Sequence, residues 1–464
     1  MKRTTLWLTL CGLLGPLLLL PASAHGQPAG AGVADFLKHR GSVFVLENAR
    51  LVDGTGAPAR EQVTVVIENG LITHVGGPPA AIPDGAERID LSGQTVLPGL
   101  VMMHEHINYF SGAYVWDAMP GSVPKLLLAA GVTSARTAGA EAPQIDLNLK
   151  ERLDAGRAPG PRLSVTGAYL NGASGGFLGD TVTRTPEQAR AAVAYWGSLG
   201  ASSIKVYSAI APEVLQAAVE EANRRGLHVA GHLGEISCTE AANAGIHTIE
   251  HSLTSCARDF GVTPETMGTF SYRPEDPRAR QLVALLVAKG VVLVATPTTT
   301  AGYDPTPEEL AMLNPEQRER YEAMVRNPPV YLPSPAAMAT WNAAHRAFER
   351  DFVAAGGRLL IGGDASDFGV IPGYANHRAM IALVEAGFTP LQVIRFATAD
   401  AAEFLGFDDR GTIAPGKAAD LLIVEGAPDR QMGDIRNVRI IFRGGVAYDP
   451  ARLRQAARGQ LGSH

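Results

Sequence analysis

The stretch PGLVMMHEHI, residues 98–107, sets a Pro-Gly break before an apolar run that ends in two histidines one residue apart. Side chains on a strand alternate between faces, so His104 and His106 project together while Glu105 projects the other way. Two imidazoles on one face can share one metal ion, although an isolated His-x-His recurs by chance. Its company gives the pair weight. Lys205, His232, His251 and Asp364 each end a short apolar run that reads as a buried strand.

Working outward, TSARTAG (133–139), RLSVTGAYL (162–170), SSIKVY (202–207), HVAGHL (228–233), TIEHS (248–252), VVLVATP (291–297) and RLLIGGDAS (358–366) join the opening run to make eight strands. Between them, segments such as APEVLQAAVEEANRRG carry apolar residues at three- and four-residue spacing, with Pro near the start or Gly at the end. Eight strand–helix repeats imply an α/β fold, a (β/α)8 TIM barrel over residues 98–405. The long segments beyond 251 and 297, including NPPVYLPSP (327–335), read as loops or small helices over the barrel mouth. At the two ends of the chain, Val/Ile-rich runs broken by Asn-Gly, Asp-Gly and Gly-Gly turns predict antiparallel strands. Residues 42–97 and 411–450 together are expected to make a small composite β-sandwich.

A chain of 464 residues with 46% hydrophobic and 19% charged residues is long enough for this arrangement and too apolar for disorder. A net charge of -6 and the lack of any lysine or arginine run argue against a nucleic-acid partner. Lys2 and Arg3, an apolar core from Leu6 to Leu20 and the small residues Ala22-Ser23-Ala24 read as an export signal over residues 1–24, so the mature protein is expected to begin near His25 in the periplasm or outside the cell. The apolar run is short for a membrane span and contains Pro16, so no membrane association is expected after cleavage. Removing the signal leaves Cys238 and Cys256, which could pair in an oxidising compartment; free thiols are the expected state.

Barrel enzymes build their sites from the C-terminal ends of the strands. His104, His106, Lys205, His232, His251 and Asp364 fall at such ends on five strands, and that donor set suits one zinc or two. A buried ammonium is costly, and CO2 would resolve the cost by turning the Lys205 amine into an anionic carbamate able to bridge two cations. HTIEH (247–251) also fits the H-x-x-E-H pattern of inverted zinc proteases, which requires a helix. Thr248 and Ile249 are β-branched and a turn follows, so a strand is predicted; four residues on a strand span roughly 13 Å, which leaves His247 a structural residue at the barrel floor. Tyr207, on the face of Lys205, is a candidate to hold a substrate oxygen. Asn108, Tyr109, Arg136 and His377 are further candidate pocket residues.

These residues, from LVDGTG through LPGLVMMHEH, IKVY, VAGHL, IEHS and GGDAS to GTIAPGKAADLLIV, make the chain resemble the amidohydrolase superfamily, in its branch of imidazolonepropionase-like enzymes and metal-dependent Xaa-Pro dipeptidases such as prolidase and ochratoxinase. The resemblance implies that His104, His106 and Asp364 hold one divalent metal, zinc by expectation, that His232 and His251 hold a second, and that carboxylated Lys205 bridges them. It also implies hydrolysis of a small-molecule amide or peptide by a metal-activated hydroxide, with Asp364 as catalytic proton shuttle. Met102 and Thr137 stand where family members commonly carry Asp, which leaves the substrate open among dipeptides, N-acyl amino acids, amide toxins and cyclic amides. A lactonase or esterase on the same site, or a non-catalytic periplasmic binding protein, are the rival readings. Self-association into a homo-oligomer is expected.

Overall fold

The computed structural model describes residues 32–112, 115–140, 142–172, 181–297, 304–327, 334–366 and 369–462. The export signal and most of NPPVYLPSP lie outside the described residues.

Eight parallel strands form the core: β1 (Leu100–Glu105), β2 (Val132–Thr137), β3 (Arg162–Ser164 continuing as Thr166–Asn171), β4 (Ser203–Val206), β5 (His228–Gly231), β6 (Thr248–Glu250), β7 (Val292–Ala295) and β8 (Leu359–Ile361). Pairing runs in sequence order from β1 to β8, with the first half of β3 on β2 and the second half on β4. The last strand returns to the first, where the Asp364 N–H donates to the His104 carbonyl at 3.0 Å. Gly362 permits that approach, since a Cβ there would lie 2.2 Å from His104 Cβ. The fold is thus the TIM-barrel architecture expected from the eight repeats, and its strands are buried on both faces, as parallel strands covered by helices must be.

The helices follow their sequence signals. The helix Pro212–Arg225 starts on Pro, buries Val214, Leu215, Ala218, Val219 and Ala222 at three- and four-residue spacing, and ends on Gly226 at φ 68°. The helix Cys238–Ala244 opens with a capping box in which Ser237 and Glu240 satisfy each other's backbone N–H groups.

Strands from both ends of the chain share one eight-stranded sheet, in the order Val446–Tyr448, Val438–Arg443, Leu421–Glu425, Gln94–Pro98, Val43–Leu51, Arg60–Glu68 and Leu71–Gly76, with Glu87–Asp90 added beside Val43–Leu51. Its inner face has its own core of Phe44, Leu46, Val65, Ile67, Val96, Leu421, Ile423 and Phe442. Among the described residues no helix is long and apolar enough to cross a membrane.

One expectation is corrected here. Cys238 and Cys256 are not free thiols but a disulfide, with Cα atoms 5.0 Å apart. The two cysteines follow β5 and β6, and parallel neighbours in a barrel place successive strand-end loops side by side. A separation of 18 residues hides that adjacency in the sequence.

Candidate metal centre

Register brings the strand ends level. Val206 pairs with Gly231 and Gly231 with Ile249, so the residues just beyond them emerge at one height. His232 follows β5, with its N–H donating to the Val206 carbonyl, and His251 follows β6, with its N–H donating to the Val294 carbonyl.

On β1, His104 and His106 project together, as alternation requires. Ring centroids of His104 and His251 lie 4.7 Å apart, those of His251 and His232 4.4 Å, and those of His232 and Tyr207 4.7 Å. His104, His106 and Asp364 bring one donor atom each within 4.8 Å of the others. Lys205 is 1% exposed on β4, two residues before Tyr207.

Hydrogen bonds fix which ring nitrogen is free. His104 Nδ1 lies 2.5 Å from Glu250 Oε2, and His106 Nδ1 lies 3.3 Å from the Gly139 carbonyl. A carboxylate and a carbonyl only accept, so both Nδ1 atoms carry the proton and both Nε2 atoms present lone pairs. Those Nε2 atoms stand 3.4 Å and 3.1 Å from Asp364 Oδ1. Three acceptors converging with no proton among them repel one another, and a cation in their midst removes the conflict. The donor set therefore fits a divalent metal ion, with Nδ1 partners of the kind that orient histidine ligands.

Electrostatics agree. Burial holds the His232 imidazole neutral, its pKa down to about 3, and keeps His251 well below the usual histidine range. Burial lowers Lys205 to about 8, although Glu250 and Asp364 oppose it. Asp364 and His251 both sit at positive φ, 47° and 60°, a left-handed conformation uncommon among non-glycine residues.

Sequence reasoning missed Glu250, whose carboxylate is wholly buried and joins His104 Nδ1 to Arg136 Nη2 at 2.7 Å. Its signal was an acid between Ile249 and His251, at the end of a short buried strand. Arg136 is correspondingly corrected from a pocket residue to a supporting one. Fully buried, it donates to the Met103 carbonyl, Thr248 Oγ1 and Glu250 Oε1, beneath His104 and out of reach of substrate. His377 is corrected too. It donates from Nε2 to the Ala130 carbonyl and lines a different cavity with Leu126, Tyr374 and Arg454. Glu105 points away from its flanking histidines, accepts from the Gly363 N–H and Asn376 Nδ2, and is pushed up to about 7 by burial. Tyr109 and Asn108 are buried in a hairpin strand, Asn108–Gly112, just past His106. His247 accepts from the Val229 N–H through Nδ1, a structural role at the start of the strands.

A cavity of about 150 Å³ adjoins the centre, bounded by His251, Thr296, Asn342, His345, Arg346 and Glu349. Burial lowers His345 to about 3 and His377 to about 4. Both take a proton near pH 6.5 when unfolded, so between pH 6.5 and about 4 the unfolded chain binds more protons and stability rises with pH. The thermal midpoint is accordingly expected to fall as pH drops through that window, and a His345→Gln variant to show a shallower slope. Identical slopes in the two proteins would contradict the assignment.

The barrel, the strand-end donors and the composite sheet define the class of a metal-dependent hydrolase. Residues 95–448 match the amidohydrolase family, and the chain belongs to it. It is a hydrolase acting on carbon–nitrogen bonds, in a family that generally uses divalent metals, as its motifs led us to expect. It is 24% identical over 407 residues to a dihydroorotase of Geobacter metallireducens, covering 82% of this chain and 89% of that one. Its fold is similar to a Xaa-Pro dipeptidase solved with methionine in the active site, with TM-score 0.66, 21% identity, and coverage of 88% of this chain and 100% of that one. It is also similar to bottromycin amidohydrolase, with TM-score 0.68, 21% identity and 94% of each chain covered.

Proposed function

We propose that this protein is an exported amidohydrolase that hydrolyses a dipeptide, an N-acyl amino acid or a related carboxylated amide at a centre of two divalent cations, zinc by preference. The observation that carries the reading is the cluster of lone pairs in which Asp364 Oδ1 meets two imidazole Nε2 atoms whose other nitrogens carry the protons. His104, His106 and Asp364 would hold one ion and His232 and His251 the other. Lys205 would bridge them as a carbamate, formed when its neutral amine adds CO2 and releases a proton. A lysine pKa lowered by burial favours the neutral amine that this addition needs.

Bound there, the cations would supply Lewis acidity toward the scissile carbonyl and toward water. Asp364 takes a proton from the attacking water and delivers it to the leaving nitrogen, so that amide plus water gives a carboxylic acid plus an amine, and transfer of the acid's proton leaves carboxylate and ammonium. Tyr207, whose ring lies 4.7 Å from that of His232, would hold a substrate oxygen. Arg346 shares the wall of the adjoining cavity with Glu349 and Glu385, so that wall offers both a cation and acidic groups to a polar substrate. Export is supported by the residues 1–24 pattern and by the buried disulfide, a bond that persists in oxidising compartments.

The test is a panel of dipeptides and N-acyl amino acids with their ester and carboxamide counterparts, and dihydroorotate for comparison, with zinc and bicarbonate supplied. Carboxylated linear amides are expected to turn over fastest. Lys205→Ala is expected to bind fewer than two ions and to lose about a hundredfold or more in kcat, in line with removal of a metal-supporting group. Full metal content and turnover in that variant would overturn the centre as drawn.

A further inference from the structure

His232 and His251 are the last residues of their strands held by backbone pairing, through the N–H bonds to the Val206 and Val294 carbonyls, and the chain beyond each leaves the sheet. His251 and the following Ser252 are both left-handed, at φ 60° and 42°. Such a conformation persists only when the surroundings enforce it.

Thr296 Oγ1 holds the His251 ring at Nδ1, 2.7 Å away, and a further set of contacts ties together the two loops that follow the histidines. Cys238 comes six residues after His232 and Cys256 five after His251, and their sulfurs are bonded with both side chains fully buried. Between them, Ser255 Oγ donates to the Glu250 carbonyl at 2.6 Å and accepts from the Leu233 N–H at 3.1 Å. That hydroxyl thus joins the residue before His251 to the residue after His232. Asp259, three residues beyond Cys256, accepts from the Cys238 and Thr239 N–H groups at 2.8 Å and 3.1 Å and from Thr239 Oγ1 at 2.5 Å. No comparable covalent tie reaches His104, His106 or Asp364 among the described residues.

We propose that the Cys238–Cys256 disulfide is a positioning element for His232 and His251, so that completing this half of the metal centre depends on its oxidation. The inference rests on the two-ion reading above. With the thiols reduced, Ser255 and Asp259 keep the fold, but each loop gains freedom to turn its imidazole away. The bond forms by exchange with an oxidised dithiol, which accepts the two electrons and two protons that the cysteines release. A chain carrying an export signal would then hold an incomplete centre until it reached an oxidising compartment. Contacts that orient histidine ligands change metal affinity by about 10- to 100-fold when removed.

Two double variants test the role, Cys238→Ser with Cys256→Ser, and Cys238→Ala with Cys256→Val, the second avoiding buried hydroxyls. Zinc per chain and its dissociation constants are measured by chelator competition, and hydrogen exchange of residues 232–238 and 251–256 is followed in metal-free protein. Two ions are expected in oxidised wild type. The variants should hold one tightly and the other about 10- to 100-fold more weakly, with at least tenfold faster loop exchange and a cooperative thermal transition. Unchanged loop exchange in a folded variant, or unchanged affinity for the second ion, would overturn the positioning role. A wild type that binds no zinc while the variants' loops loosen would overturn the metal reading and leave the positioning of the histidines standing.

Discussion

Replacing Asp364 by Asn is expected to lower kcat by about a thousandfold, within the range usual for loss of a general acid–base group, while leaving the protein folded. Asn has the volume of Asp, and the main-chain bond from Asp364 N–H to the His104 carbonyl, which joins β8 to β1, is untouched. What changes is the capacity to take and return a proton. The amide also turns an N–H2 or a carbonyl toward imidazoles that now face a carboxylate at 3.1 Å and 3.4 Å. Metal affinity should therefore weaken as well, and the experiment has to be read at saturating zinc. Turnover within tenfold of wild type, at full metal content, would remove Asp364 from the proton path. An intact thermal midpoint together with the loss would separate chemistry from folding.

The centre was legible in the sequence to the extent that strand alternation and strand ends determine it. His-x-His at residues 104 and 106 shares a face because a strand has period two, and the other donors were found because each terminates an apolar run. Support for those donors was not legible. Glu250 and Arg136 are 114 residues apart, and nothing local marks either as the other's partner. An arginine inside a strand reads as a pocket residue until its carboxylate is seen. His377 misled for a related reason: it lies one turn into the helix Tyr374–Glu385, where one face meets the barrel and another meets the helix Val123–Ala129, and the 3.6-residue period does not say which face a polar side chain uses. The disulfide was hidden because loop adjacency follows from the parallel pairing of β5 with β6, not from spacing in the sequence.

The Arg136–Glu250 pair carries the other large expected effect. Both side chains are completely buried, so Arg136→Met leaves a carboxylate in the barrel interior without its chief cation. Breaking such a pair costs about 3–5 kcal/mol, more than the packing change of a similar-sized apolar side chain. In the wild type, burial works to raise the Glu250 pKa, and Arg136, Lys205 and His104 overcome it and hold it well below 4.5. Its contribution is then present above pH 4.5 and lost only as pH falls through the lower folded value. In the variant burial prevails and the folded pKa moves above the unfolded one. The sign reverses: the variant's deficit should be greatest at pH 8 and shrink toward pH 5, where Glu250 takes up a proton. Adding Glu250→Gln should recover much of the stability at pH 8, because the second change removes the stranded charge. Activity should not recover with it, since Gln accepts from His104 Nδ1 only as a neutral amide and no longer raises the basicity of that imidazole. Chemical denaturation at the two pH values, run on both variants, measures each step. A deficit equal at pH 5 and pH 8, with no recovery in the double variant, would mean that Arg136 acts through its packing alone and that the charge beneath His104 is not what holds the ligand in place.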